Sequence, residues 1–325
     1  MPRHISIIVP VFRSASFLGK LLTAIEQERQ KEGWNLELIL VDDGSPDHSF
    51  EVVKQLAQEH KYVRGFRLSR NFGHQAAVRF GLRMCQGEYV AIIDDDLQDP
   101  PGLLPRFFGY LDKGWDVAYG VRVKRKEWPH KVFAYQLFYR LLNALSERPI
   151  PLDAGDFCVM KRQVLEAMLQ LNERNPFLRG IRAWVGFKQI GVEYERQGRA
   201  AGESGYTLKK LLRIAFDGIF SFSRVPLKIT TFIGGMSLLI GSLYGVYTLA
   251  MYFTDGIPIQ GFAALILFVI FFGSVNLLCL GILGSYIARI YDEGKFRPDV
   301  IVAEQTNEKV SIQDSDERNR MLVGH

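Results

Sequence analysis

The chain has 325 residues, 48% hydrophobic and 23% charged, a balance that excludes wholesale disorder. Its 40 Lys and Arg against 35 Asp and Glu give a net charge of +5, and the cations are interspersed with acids, which excludes a basic stripe for nucleic acid. Three cysteines, Cys85, Cys158 and Cys279, lie far apart without CxxC spacing; that excludes a disulfide framework or a cysteine zinc site and fits a reducing compartment. The first apolar run, Ile5–Val11, is too short for a secretory leader, contains Pro10 and lacks a small-residue cleavage site. It is followed by Phe12 and no GxGxxG, which counts against a dinucleotide dehydrogenase, and no GxxxxGK[ST] occurs anywhere, which removes the P-loop class. Further β-rich runs at Leu36–Val41, Val63–Leu68, Tyr89–Ile93 and Val117–Tyr119 alternate with helical stretches at Leu18–Glu28, Phe50–His60, Gln75–Met84 and Leu103–Leu111. The alternation predicts an α/β sheet with helices on both faces, whose ligands bind at the carboxyl ends of the strands.

Two of those ends are acidic. The second run closes on Asp42-Asp43-Gly44-Ser45, ahead of a helix opened by Ser45-Pro46-Asp47. Asp42 and Asp43 either form the turn and cap or, because Asp47 or Ser45 can cap, leave Asp42 to accept from a ligand. The fourth run closes on Asp94-Asp95-Asp96, then Leu97-Gln98-Asp99-Pro100-Pro101. Side chains alternate along extended chain, so Asp94 and Asp96 point together and Asp95 points away. Three adjacent carboxylates repel one another unless a cation balances them, and hard oxygen ligands suit Mg²⁺ or Mn²⁺, which complete their shells with phosphate oxygens and water. A solvated turn or helix cap is the plainer reading of such a triplet.

The C-terminal part is different in kind. Mean hydropathy is +0.02 because apolar residues are clustered. Ile229–Phe253 and Phe262–Tyr286 carry no charge, and each is long enough to cross a hydrocarbon core of about 30 Å. The turn between them, with Gly256 and Pro258, has no Lys or Arg, whereas Arg224 and Lys228 precede the pair and Arg289, Lys295 and Arg297 follow it. The positive-inside bias therefore predicts a multi-pass hairpin with the N-terminal domain and both termini in the cytoplasm. The alternative is a buried helical hairpin in a soluble protein. Gly234, Gly241, Gly245, Gly281 and Gly284 permit close helix approach, which leaves homo-oligomerisation open. Ahead of the spans, Leu208, Leu211, Leu212, Ala215, Phe216, Ile219 and Phe220 share one helical face and Lys209, Lys210 and Arg213 the other: an interfacial helix, or a surface helix packed on its own domain. The expected organisation is a cytoplasmic domain over 1–205, an amphipathic helix over 206–228, two spans over 229–291 and a cytoplasmic tail over 292–325. The charged part after Asp299 reads as a flexible extension.

The ordered motifs Val9-Pro10-Val11, Val41-Asp42-Asp43-Gly44-Ser45, Asn71-Phe72-Gly73-His74-Gln75 and Asp94 through Pro101 resemble the inverting family 2 glycosyltransferases. Within that family the chain is most similar to the polyprenyl-phosphate branch, the dolichyl-phosphate mannose synthases and bactoprenol glucosyltransferases. The likeness continues through Gly155-Asp156-Phe157, Phe177-Leu178-Arg179-Gly180, Arg199 to Ser204 and both spans, from about residue 5 to 297. It implies a GT-A fold, a Rossmann-like nucleotide-sugar domain, followed by a membrane hairpin in the inner membrane. The implied activity is inverting transfer of a hexose, glucose from UDP-glucose, to undecaprenyl phosphate. GDP-mannose and UDP-N-acetylglucosamine stay open as donors, and a non-catalytic nucleotide-sugar-binding scaffold is the alternative.

By the same resemblance Pro10, Val11 and Asp42 hold the base and ribose, with Asp43, Asp95, Gln98 and Arg199 also on the donor and Gln98 near the sugar. Asp94 and Asp96 carry the metal. Asp156 is the acceptor-side carboxylate, a base or an orienting group, and Arg122, Arg125 and Lys131 hold the acceptor phosphate, Arg122 serving catalysis as well. His74 either touches the nucleotide or caps a helix. The chain departs from the family pattern at Cys158, where many relatives have Arg, and at Gly205, where they have Lys. Processive synthases carry QxxRW, which Arg182-Ala183-Trp184 does not supply, and this favours transfer of a single sugar.

Overall fold

A computed structural model describes residues 3–123, 154–171, 177–195, 225–255, 261–295 and 297–306. They fall into two compact units: residues up to 195 together with 297–306, and the two long helices between.

The first unit is one eight-stranded sheet. Its strands are β1 (His4–Val11), β2 (Asn35–Asp42), β3 (Val63–Leu68), β4 (Tyr89–Ile92), β5 (Val117–Val123), β6 (Ala154–Lys161), β7 (Gln189–Glu195) and β8 (Val302–Gln305), in the order β7-β5-β6-β4-β1-β2-β3-β8. β4, β1, β2 and β3 run parallel, β6 lies antiparallel between β4 and β5, and β8 is antiparallel to β3. The central strands are apolar on both faces. Ile5, Ile7 and Val9 of β1, with Leu38 and Leu40 of β2, enter one core, while Ile8, Ile39 and Val41 enter the other. That is what period-two alternation demands of a sheet covered on both sides. Helices α1 (Ala15–Glu32), α2 (Ser49–Glu59) and α4 (Leu104–Asp112) cover the first face. Helices α3 (His74–Met84), α5 (Arg162–Leu169) and α6 (Leu178–Trp184) cover the second. α3 lies so close to β1 that a Cβ on Gly81 would sit 2.4 Å from Ile8 Cγ2.

The five sequence-predicted strands and four helices stand where the alternation put them. β6 was not among them, and it matters most for the site. It pairs with β4 at Ile92↔Cys158, and the same register carried two residues further brings Asp156 level with Asp94.

One expectation is corrected. The segment after Asp299 is no flexible extension as far as Thr306, because β8 completes the sheet along the edge of β3. Ser69 donates its N–H to Ile301 O at 2.8 Å, Thr306 donates to Gly65 O at 2.9 Å, and Gly65 donates to Thr306 Oγ1 at 2.8 Å. Lys54 pairs with Glu304 at 2.6 Å, and Asp299 stands 2.9 Å from Arg83 and 3.6 Å from the buried Arg79, both on α3. An exposed parallel edge leaves a row of unpaired backbone groups, and capping it is a sufficient physical reason for so short a strand.

The second unit is α7 (Val225–Asp255) and α8 (Phe262–Gly294), which meet through Tyr244 and Phe268 with ring centroids 5.4 Å apart. Both are long and apolar enough to cross a membrane, over Leu227–Met251 and Phe268–Asp292. Their apolar side chains face outward, Leu238 at 73% exposure and Leu277 at 72%. The stretch 206–224 of the expected amphipathic helix lies outside the described residues.

Candidate active site

The carboxyl ends of β1, β2 and β4, the start of β6 and the N-terminus of α3 converge at one edge of the sheet. Beyond β2 the chain turns through Gly44, at φ 64°, where a Cβ would lie 2.5 Å from the Arg70 carbonyl carbon, so only glycine fits. Asp42 is fully buried, takes the Ser45 N–H on both oxygens at 3.3 Å and has Arg67 Nε 3.6 Å away. Asp43 takes the Phe72 N–H at 2.7 Å and the Gly73 N–H at 2.9 Å. Burial pushes both carboxyls up from the usual range. Asp43 thereby fastens the loop that delivers α3, while Asp47 holds the start of α2, accepting the Ser49 N–H at 3.3 Å and its hydroxyl at 2.7 Å; the helix has no side-chain cap.

In the acidic turn after β4, Asp94 and Asp95 take different partners. Asp95 faces the β1–α1 loop, where its Oδ2 accepts the Phe12 N–H at 3.0 Å and the Ser14 hydroxyl. Asp94 points the other way, with His74 Nε2 at 3.8 Å. Asp96 Oδ1 accepts the Gln98 N–H at 3.1 Å, which closes the turn. Leu97 sits at φ 58°, a conformation that costs a bulky residue about 1–2 kcal/mol, at the point where the chain doubles back. Gln98 and Asp99 are buried behind it, and the Tyr194 hydroxyl on β7 donates to Asp99. Burial first, then the charges of Asp99, Asp156 and Asp96, push Asp94 up to about 6 against the pull of His74.

Asp156 is the hub of the edge. It is 7% exposed, and Arg179 of α6 grips it with Nε at 2.8 Å and a second guanidinium nitrogen at 3.1 Å. Gln75 Nε2 donates to its Oδ2 at 3.1 Å, and His74 Nε2 lies 3.3 Å from the same oxygen. Gln75 in turn accepts the Leu178 N–H at 3.1 Å and so ties the starts of α3 and α6 together. Burial pulls the Asp156 carboxyl upward, but Arg179 and His74 outweigh it and hold it well below the usual range. Burial likewise works against a charge on His74, yet Asp156, Asp94 and Asp95 raise its pKa. The edge thus holds an ionised carboxylate clamped between a guanidinium and an imidazole.

Of the residues singled out from sequence, the fold gathers Asp94, Asp95, Asp96, Gln98 and Asp156 at one edge with Pro10, Val11, Asp42 and Asp43. The Pro10 and Val11 side chains are buried, Val11 in the core and its carbonyl accepting the Asp43 N–H at 2.9 Å, and the exposed Phe12 follows β1 at the edge. Arg122 lies in β5 opposite Tyr194 of β7, and only its backbone is described. Arg125, Lys131, Arg199 and Gly205 lie outside the described residues. Sequence reasoning passed over Arg179 and Gln75 as partners of Asp156, and left His74 undecided. Their one signal was that each sits inside a quoted motif.

Two carboxylates two residues apart, with hard oxygens, are suited to one divalent ion that takes its remaining ligands from phosphate and water. Among the described residues no group of three or more His, Cys, Asp or Glu is arranged to hold a metal by itself. Burial first and then the neighbouring carboxylates lift Asp94, and a cation there would favour its ionised form against both.

The family described as Glycosyl transferase family 2 matches residues 6–169. An uncharacterized glycosyltransferase of Bacillus subtilis, YkcC, is 42% identical over 93% of this chain and 94% of its own length. The bactoprenol glucosyl transferase of Shigella phage SfV is 35% identical over 92% of this chain and 97% of its own. The crystal structure of mannosyl-3-phosphoglycerate synthase from Rubrobacter xylanophilus covers 66% of this chain and 71% of its own at 18% identity, with a TM-score of 0.47.

Proposed function

Because the chain belongs to glycosyl transferase family 2 and has its GT-A sheet, we propose that it transfers one hexose, glucose, from UDP-glucose to a polyprenyl phosphate, undecaprenyl phosphate, with inversion at the anomeric carbon. The observation that carries this reading is the extent of the likeness to bactoprenol glucosyl transferases. At 92% of this chain and 97% of theirs, it leaves out too little to omit either the carboxylate edge or the two long apolar helices. A lipid acceptor explains why one chain carries both. The cationic flanks of the helices support a hairpin with the catalytic domain on the cytoplasmic side of the inner membrane.

The acceptor's phosphate oxygen attacks the anomeric carbon while the nucleoside diphosphate departs. A phosphomonoester with a second pKa of about 6 reaches the site largely dianionic, so no strong base has to create the nucleophile. Asp156 suits that division of labour. Held far below the usual carboxylate range, it is a poor proton acceptor, and its clamp with Arg179 and His74 makes it an orienting group. Asp94 and Asp96 would hold Mg²⁺ or Mn²⁺, which when bound draws off charge from the departing diphosphate. Asp95 fixes the β1–α1 loop and Asp43 the loop ahead of α3, so both shape the donor cleft through the backbone. Gln98 near the sugar, Asp42 at the base, and Arg199, Arg122, Arg125 and Lys131 on the phosphates complete the proposed set.

The test uses the full chain in detergent micelles, radiolabelled UDP-glucose, GDP-mannose and UDP-N-acetylglucosamine, and undecaprenyl phosphate, with and without EDTA. The expected result is a β-linked glucosyl lipid made only when divalent cation is present. Nucleotide-sugar binding without any lipid product would establish the scaffold instead, and preference for another donor would overturn the choice of glucose.

A further inference from the structure

Asp42, assigned above to the nucleoside base, has no surface in contact with solvent. Burial pushes its carboxyl up from the usual range, so its charge has to be compensated from within the protein. The Ser45 N–H meets both of its oxygens at 3.3 Å, and among the described residues its ion-pair partner is Arg67, with Nε at 3.6 Å. The same guanidinium donates from Nη2 to the Ser45 carbonyl at 3.5 Å. Arg67 therefore holds both the acid and the backbone of the turn after β2.

What holds Arg67 arrives from the other end of the chain. Asp42 stands opposite Arg67 in the register of β2 with β3, and Arg67 stands opposite Glu304 in the register of β3 with β8. Residues directly opposite one another project from the same face of a sheet, so the three make one row of alternating charge. The register of β8 slips between Arg67 and Leu68, which leaves Ala303 as an extra residue just before Glu304. A bulge of that kind re-aims the neighbouring side chain. Glu304 reaches Arg67 Nη1 with Oε1 at 3.3 Å and Lys54 with Oε2 at 2.6 Å. Lys54 and Arg67 lie over the same Phe50 ring, 4.9 and 5.6 Å from its centroid, so Glu304 is the charge that lets two cations share that face. Sealing the edge of β3 asks only for the backbone of β8. A carboxylate opposite Arg67 is a separate feature.

We propose that Glu304 is a positioning residue of the donor site, holding Arg67 against Asp42 and the Ser45 carbonyl so that the turn after β2 is set for the nucleoside. This rests on the reading that places the nucleotide sugar at that turn. The donor site is thereby completed by the strand that follows the apolar hairpin in the sequence, and it is incomplete in a chain that stops at the end of α8.

Binding of UDP and of GDP, each with Mg²⁺, is measured by isothermal titration of the full chain in detergent micelles, without lipid acceptor. Glu304→Gln is expected to weaken the nucleotide that the native chain binds by about 5-fold, the upper end of what a half-exposed ion pair is worth. In the transfer assay the same change appears in the KM for the nucleotide sugar and not in kcat. Arg67→Met weakens binding at least as much, and adding Glu304→Gln to it costs nothing further, because Glu304 acts through Arg67. Lys54→Met removes the other contact of Glu304 and so separates positioning from the docking of β8; binding is expected to stay within about 2-fold of the native chain. Binding undiminished by Glu304→Gln overturns the proposal and leaves the donor reading intact. So do equal losses in Lys54→Met and Glu304→Gln, or additive losses in the double variant. Failure of the native chain to bind either nucleotide overturns both.

Discussion

Replacing Arg179 by Gln isolates what the clamp on Asp156 does. The carboxylate is 7% exposed and the Arg179 side chain 28%, so the pair is largely, though not wholly, shielded from water. Removing one partner of a buried pair costs about 3–5 kcal/mol, and because Gln75 and His74 still reach Asp156, the lower end, about 3 kcal/mol, is expected near pH 7.5. For a domain of this size that corresponds to about 6–12 °C in apparent Tm. The pH dependence separates this cause from a simple packing defect. In the native chain the folded pKa of Asp156 is depressed, so its contribution is complete above the unfolded value of about 3.9 and is lost only as pH falls through the folded value beneath that. Between pH 5 and 8 it is therefore constant. In the variant, burial prevails, the carboxyl takes a proton as pH falls, and the penalty fades. Thermal melts of both proteins at pH 5, 6, 7 and 8 should show the gap narrowing toward pH 5. A gap that is the same at every pH, or under about 1 kcal/mol throughout, would refute the buried-charge account.

Four further outcomes follow from the same geometry. Asp94→Asn and Asp96→Asn should each lower lipid glucosylation about 10²-fold or more while leaving the apparent Tm unchanged or raised, because each relieves carboxylate crowding; steady-state rates and melts on the same preparations check this. Mn²⁺ binding followed by electron paramagnetic resonance should fall away below a pH of about 6 as Asp94 protonates, and His74→Gln, which removes a charge that lowers the Asp94 pKa, should move that midpoint upward. Asp299→Asn should cost about 1–2 kcal/mol and expose 297–306 to limited proteolysis, since it loosens β8 from Arg83 and Arg79. Tyr194→Phe removes the hydroxyl that donates to buried Asp99 and should cost about 1.5–3 kcal/mol by denaturant titration.

The elements that sequence made visible are those whose signal is local. β1 to β5 alternate with helices and are apolar on both faces, and the acidic ends of β2 and β4 fall where such a sheet places ligands. The separation of Asp95 from its neighbour Asp94 was legible too, because it depends only on the direction of successive side chains. What stayed hidden depends on contacts between distant segments. β6 inserts antiparallel between β4 and β5, and nothing in Ala154–Lys161 reveals which strands it will separate. Asp156 could be flagged from its motif, but its partners Arg179, Gln75 and His74 arrive on two different helices. Arg182 entered the sequence reading only as part of an incomplete QxxRW. Its burial is a tertiary fact. β8 is four residues following a long apolar hairpin, a pattern too short to register without the edge of β3 beside it.

Four of the carboxylates around the mouth of β4 differ in what the fold does with them. Asp95 is spent on Phe12 and Ser14, Asp99 accepts from Tyr194, and Asp156 is neutralised by Arg179. Each of these bonds stabilises a loop or a helix start, so stability alone could account for those three. Asp94 is the exception. Burial and three like charges work against its ionised form, and the imidazole at 3.8 Å does not compensate, since the carboxyl still rises to about 6. Asparagine at that position would keep the shape and remove the repulsion. A chain under selection for folding alone has no reason to keep an aspartate there, three residues before a leucine forced to φ 58°. Unfavourable charge and unfavourable backbone within one short turn are the mark of a site shaped by what it binds.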